Sequence, residues 1–221
     1  VEFLLDENKD FYFLEMNTRL QVEHPVTEMI TSVDLVKEQI KIAQGHKLSF
    51  SQEDLSIKGH ALEIRVYAED PINNFAPDIG ILKRYVLPDS VGVRLDNGFE
   101  EGMEIPIYYD SMLSKLITFG KDREEAISRM KRAILDYTIV GVKTTLPFAL
   151  FVMDHPNFVN GDFDTHFVKN HFTDPSILEK SCEEEAEIAA LLARHLQTQS
   201  PLINTSFLPG KNISKWKKNR S

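Results

Sequence analysis

The stretch EMNTRLQVEHP, residues 15–25, alternates strictly: Glu15, Asn17, Arg19, Gln21 and Glu23 fall on one side, Met16, Thr18, Leu20 and Val22 on the other. A period of two over this length marks extended backbone with one polar and one mostly apolar side. A half-buried surface strand also alternates, but its wet side usually carries scattered Thr, Ser, Lys or Glu. Here one edge presents acid, amide, guanidinium, amide and acid in order.

Just upstream, residues 1–6 and 11–16 are apolar, aromatic-rich runs separated by the polar Glu7-Asn8-Lys9-Asp10. This pattern predicts a β-hairpin with a four-residue loop. Pairing Asp6 with Phe11 sets Leu4 against Phe13 and Glu2 against Glu15. Opposed residues share a face, about 4.5–5.5 Å apart at Cα. Two carboxylates at that spacing repel unless one is protonated or a cation lies between them. A solvated acidic pair at a sheet end is the plainer alternative. A hard divalent cation takes carboxylate and amide oxygens, and Asn17 on the same face could supply a third. The planar fork of Arg19 suits a bicarbonate or phosphate oxyanion. Glu23 lies up to about 26 Å from Glu15 if the strand stays straight, so it joins the metal's surroundings only if the chain bends. The row reads as metal, then anion, then base.

Beyond Val26 the period changes, and Val33, Val36, Ile40, Ile42 and Ala43 predict one helix ending near Gly45. The polar segment 49–58 is the candidate domain boundary. After it the chain turns β-rich, with extended candidates at 60–67, 81–86, 91–95, 105–109 and 112–119, and a turn signal at Asp96-Asn97-Gly98. Asp122 and Glu125 have the spacing of a capping box, opening a helix whose buried stripe is Ile127, Met130, Ala133, Ile134 and Tyr137. Further helices are expected at 145–153 and 165–172. Asp174-Pro175 opens another over 176–197, with acids early and Arg194 and His195 late. The basic end of the chain lacks periodicity and reads as a disordered tail. The expected division is 1–55, 56–173 and 174–221, in the α+β class.

Composition narrows the function classes. A formal charge of −9 argues against general nucleic-acid binding, which wants a basic face. A lone cysteine, Cys182, leaves no intramolecular disulfide and fits a reducing, cytoplasmic setting. No apolar run approaches the roughly 20 residues of a membrane span. The chain opens abruptly inside a strand-like run without an initiator Met, as a piece of a longer protein would.

These residues resemble a known family. EFLLDENKDFYFLEMNTRLQVEHPVTEM looks like the end of the ATP-grasp domain of biotin carboxylases, and GHALEIRVYAEDP, GVRLDNG, YYDSMLSKLI and GVKTTLPF are similar to the C-terminal mixed sheet-and-helix domain of the same enzymes. The similarity runs over residues 1–172. Such subunits occur in acetyl-CoA, propionyl-CoA and pyruvate carboxylases. The resemblance implies that ATP and bicarbonate, through carboxyphosphate, carboxylate biotin on a carrier protein or domain. It implies that Glu2, Glu15 and Asn17 hold magnesium (or manganese) ions at the ATP phosphates. Arg19, Gln21 and the Val22 N–H would bind bicarbonate, with Arg19 also catalytic. Glu23 would be the general base. Leu4 would lie against adenine, with Thr165 and His166 near it. Arg94 would face bicarbonate and the enolate-like oxygen of biotin. A carboxyltransferase and a homodimer partner follow from the same resemblance, Phe119 and Arg123 lying where relatives make their dimer contact.

The family's glycine-rich phosphate loop, its ATP-site lysines and a biotin acceptor motif are not found in these residues, so the 221 residues alone are expected not to turn over ATP. The remaining polar residues read as structural: His24 as an orienting or packing residue, His60 and Arg65 as a polar strand face, and Tyr108-Tyr109-Asp110 as packing and turn formation. Two other functions compete. One is a different ATP-grasp ligase, such as a carbamoyl-phosphate synthetase, which QVEHP and the second domain weigh against. The other is a non-catalytic dimerisation or docking module.

Overall fold

The computed structural model describes residues 1–106, 108–178, 188 and 190–195. Val1–Leu178 form one compact unit. It opens with a hairpin, β1 (Glu2–Leu5) and β2 (Phe11–Glu15), followed by helices α1 (His24–Thr31) and α2 (Leu35–Ala43). A three-stranded antiparallel sheet then dominates, in the order β3 (His60–Tyr67), β8 (Met112–Gly120), β7 (Val93–Asn97). Two small two-stranded pairs accompany it: β4 (Glu69–Asp70) with β5 (Ala76–Pro77), and β6 (Arg84–Val86) with β9 (Thr138–Val140). Helix α3 (Arg123–Asp136) follows β8, and three shorter helices, α4 (Leu146–Asp154), α5 (Pro156–Asn160) and α6 (Phe167–His171), come after β9.

Strand alternation sorts the central sheet into two unlike faces. Val66 and Leu116 lie on the first, fully buried, and join Leu113, Met130, Ala133 and Ile134 in one core. Helix α3 covers this face, and all of its predicted stripe is buried. Half of the expected capping box forms: Asp122 Oδ1 accepts the Glu125 N–H at 2.9 Å, while the Glu125 carboxylate accepts the Lys121 N–H at 2.6 Å in place of that of Asp122. Inside this core a polar chain is fully satisfied, as burial requires. Tyr137 Oη lies 2.6 Å from Tyr85 Oη and 2.9 Å from Ser114 Oγ, and Tyr85 donates to Asn97.

The second face is charged. Register sets Arg65, Lys115 and Asp96 in one row and Glu63, Ile117 and Arg94 in the next. Helix α1 packs on β3 and β8. Helix α1 and the loop just before it thus dock on the polar side of the sheet.

Several expectations need correction. The helix predicted beyond Val26 is two helices, because Ser32 is left-handed (φ 60°) and Asp34 caps a fresh start through the Lys37 N–H. Extended backbone stops at Glu15, and the alternating row continues as a bent loop, with α1 already begun at His24. Pro25 sits in the first turn, where its missing N–H costs nothing. The 105–109 candidate is not a strand among its described residues. Tyr108 and Tyr109 are exposed at 90% and 81%, so they do not pack internally, while Asp110 does close a turn by accepting the Met112 N–H. Asp174 caps as predicted, taking the Ser176 N–H. Of the predicted 176–197 helix, 177, 178, 188 and 190–195 are helical, and its other residues from 179 on, like most of the tail, lie outside the described residues. Among the described residues no helix is long and apolar enough to cross a membrane.

Candidate active site

The hairpin loop is five residues long, not four. Asp6 turns its own carboxylate back on the loop and accepts the N–H groups of Asn8 and Asp10, both at 2.9 Å. Leu5 therefore opposes Phe11, and Leu4 opposes Tyr12, correcting the Asp6–Phe11 and Leu4–Phe13 pairings. Carried on unchanged, this register would put Leu14 opposite Glu2. A β-bulge between Glu2 and Phe3 intervenes, and Glu2 pairs with Glu15 after all.

The two acids then share one donor. Asn17 Nδ2 lies 2.7 Å from Glu2 Oε1 and 3.2 Å from Glu15 Oε1. Gln21 Nε2 adds a second hydrogen bond to Glu2, at 3.2 Å. An amide N–H2 group, with its partial positive charge, thus occupies the place between two carboxylates where a cation would lie. The donor set is all oxygen once the amide turns over to present Oδ1, which fits a hard cation such as Mg2+ or Mn2+.

The bend places the rest of the row near this cluster. Asn17, Arg19, Gln21, Glu23, His24 and Thr27 line one cavity of about 250 Å³. The Arg19 guanidinium is exposed and, among the described residues, donates to the adjacent Leu20 carbonyl at 3.2 Å. His24 Nδ1 meets the Gln21 carbonyl at 2.8 Å, the orienting role expected of it.

Arg94 belongs to a second cavity, of about 630 Å³, with Glu28, Ser32 and Lys37. Asp96 grips it with two hydrogen bonds, at 2.8 and 3.1 Å, and Glu28 with one at 2.6 Å. The Asp96 bonds first, then Glu28, hold the guanidinium firmly charged against the cost of burial. Burial alone would raise the Asp96 carboxyl, but hydrogen bonds from Arg94 and Lys115 outweigh it and keep it below the usual range. Two of the five guanidinium N–H groups remain for a ligand.

Leu4 is exposed on the hairpin. Thr165 and His166 lie elsewhere, at the start of α6. His166 turns to Asp164, through its N–H at 2.8 Å and its ring at 3.7 Å. Among the described residues neither bonds to the hairpin.

Residues read as structural, or not singled out, complete the surroundings. Arg65 Nη2 lies 3.0 Å from Glu23 Oε2. Lys115 Nζ donates to the Val22 carbonyl at 2.9 Å and to Asp96 at 3.1 Å. Both Glu63 carboxylate oxygens are buried without a hydrogen-bond partner, and burial, only partly offset by Lys115 and Arg65, pushes this acid up to about 7. The available signal was the presence of both charge signs on one alternating face of three strands. Arg123 is occupied within the fold, donating to the carbonyls of Phe158 and Val159 and lying over the Phe158 ring. His60 is its neighbour at 3.2 Å, structural as read.

Comparison with known proteins finds close relatives. Residues 63–170 match the family described as biotin carboxylase C-terminal domain, and residues 1–51 the carbamoyl-phosphate synthase L chain ATP-binding domain. A pyruvate carboxylase subunit of Methanothermobacter thermautotrophicus is 48% identical over 97% of this chain and 41% of its own length. Biotin carboxylase 1 of Bacillus subtilis is 52% identical over 77% of this chain and 38% of its own. The chain thus spans about two fifths of these relatives. A solved dimer of the biotin carboxylase domain of Hydrogenobacter thermophilus 2-oxoglutarate carboxylase, in complex with MgADP, ADP and bicarbonate, superposes with a TM-score of 0.76 at 46% identity, covering 80% of this chain and 38% of that one. The separate match of 63–170 and these relatives place the chain apart from the carbamoyl-phosphate synthetases. Residues 63–170 thus carry the biotin carboxylase C-terminal domain, and the chain as a whole is similar to the C-terminal part of biotin carboxylase subunits.

Proposed function

We propose that this chain supplies the metal, bicarbonate and biotin-facing residues of a longer enzyme that carboxylates biotin on a carrier, using ATP and bicarbonate. The observation that carries this reading is Asn17 set between Glu2 and Glu15 and lining the same cavity as Arg19, Gln21 and Glu23. Glu2, Glu15 and Asn17 would hold a divalent cation, which when bound would neutralise charge on the ATP phosphates. Arg19, Gln21 and the Val22 N–H orient bicarbonate, and Glu23 takes its proton, making it the better nucleophile toward the γ-phosphate. Phosphoryl transfer needs positioning and charge compensation more than covalent help, and Arg19 supplies both. Arg94, with its two spare N–H groups, faces the negative oxygen that develops on biotin as its ring nitrogen is deprotonated. Leu4, Thr165 and His166 border the adenine.

The two family matches, ending at 51 and beginning at 63, support a division into an ATP-grasp end (1–55), a C-terminal domain (56–173) and a following segment (174–221). We place the enzyme in the cytoplasm, as a homodimer working with a biotin carrier and a carboxyltransferase. The dimeric relative supports the dimer in particular. The test is ADP release by the full-length protein. It should depend on bicarbonate and rise with biotin; no dependence on bicarbonate would overturn the reading. A docking module without chemistry would dimerise and show neither.

A further inference from the structure

We propose that Arg65 and Lys115 are positioning residues for Glu23, holding it at two points from the charged face of the central sheet. The inference rests on the assignment of Glu23 as the base. Arg65 takes the carboxylate itself, Nη2 to Oε2 at 3.0 Å. Lys115 takes the main-chain carbonyl immediately before it, that of Val22, at 2.9 Å. The two cations are direct partners across β3 and β8, so one sheet row sets both points of attachment. Asp96, next in the same row, fixes Lys115 from its other side at 3.1 Å.

Rigidity comes from the unequal exposure of the two cations. The Lys115 side chain is only 11% exposed, and its ammonium spans a fixed gap between Asp96 and the loop carbonyl. The Arg65 side chain is 41% exposed and opposes a Glu23 carboxylate that is itself half exposed. Lys115 therefore fixes the backbone, while Arg65 orients a side chain that solvent and substrate can still reach. Glu23 sits at the turn between the bicarbonate loop and α1, where a shift of Val22 would carry both the base and the Val22 N–H away from the anion. Misplacement by about 1 Å can cost a reaction on the order of 10²-fold.

The test uses the full-length carboxylase and two readouts. Lys115→Met should lower kcat for bicarbonate-dependent ATP cleavage by about 10²-fold and raise the KM for bicarbonate, leaving the KM for ATP nearly unchanged. Arg65→Met should do the same more weakly, and Arg65→Lys should recover part of the loss. In a Glu23→Gln background both losses should shrink toward none, because residues that act through one group are not additive. Amide hydrogen exchange over residues 20–25 should quicken in Lys115→Met but not in the exposed Lys121→Met. Full additivity with Glu23→Gln, or unchanged exchange, would overturn the proposal. If the wild type shows no bicarbonate-dependent cleavage, the functional reading fails, and the exchange measurement still decides whether Lys115 holds the loop.

Discussion

Arg94 on β7 and Glu28 on α1 meet at 2.6 Å across 66 positions of sequence, and the other oxygen of Glu28 accepts the Leu35 N–H that begins α2. One buried carboxylate thus ties two helices to the sheet. Glu28→Gln should cost about 1.5–3 kcal/mol, the range for hydrogen bonds to charged groups. Glu28→Ala should cost more, since it also strands the Leu35 N–H. Urea unfolding of the three proteins checks the order, and an alanine variant no weaker than the glutamine one would contradict it.

The acidic pair of the hairpin has its own internal control. Glu15→Gln should raise the Mg2+ concentration needed for ATP cleavage by the full-length enzyme. The same change at Glu7, in the loop beyond the pairs, should not. Titrating Mg2+ at fixed ATP separates the two variants, and equal shifts would remove Glu15 from the metal site.

Glu63 makes stability depend on pH. Burial raises its carboxyl from 4.5 to about 7 in the folded chain. Between those values the folded form keeps a proton that the unfolded form has lost, so this group's contribution falls as pH rises and is gone above about 7. Glu63→Gln mimics the protonated acid. Its melting temperature should match the wild type near pH 4.5 and exceed it at pH 8. A difference that does not grow with pH would rule this out.

Two glycines with positive φ separate backbone strain from crowding. Gly102 (φ +91°) has open space where a Cβ would go, whereas at Gly141 (φ +117°) that atom would meet the Ile81 carbonyl oxygen at 2.0 Å. Gly102→Ala should cost about 1 kcal/mol from conformation alone, and Gly141→Ala several-fold more because backbone must move. Similar losses in thermal unfolding would refute the distinction.

The sheet and α3 were legible because each rests on a short-range rule, alternation and a cap spacing; Glu2 was paired with Glu15 from a register the hairpin does not have, and the pairing stands because of the bulge. The break between α1 and α2 was not, although Asp34 had the right type to cap, since the apolar period runs through it. Arg65 read as an ordinary polar strand face and Lys115 was not singled out, because nothing local says that residues 22 and 23 will lie on top of them. Glu63 was hidden for the same reason: its burial comes from a segment forty positions away. The bend after Glu15 could be stated only as a condition for Glu23, and here its partners lie on other strands of the fold.

The bulge between Glu2 and Phe3 acts as a parity switch. Five loop residues give partner numbers that sum to 16, which would leave the acids on opposite sides of the ribbon; one extra residue makes the sum 17 at the far end and brings them together. Loop length at the tip and chemistry at the base are thereby decoupled. A hairpin with one loop residue fewer needs no bulge to oppose the same two acids. The turn can therefore gain or lose a residue while the ribbon, read from its open end, still presents its carboxylates in step.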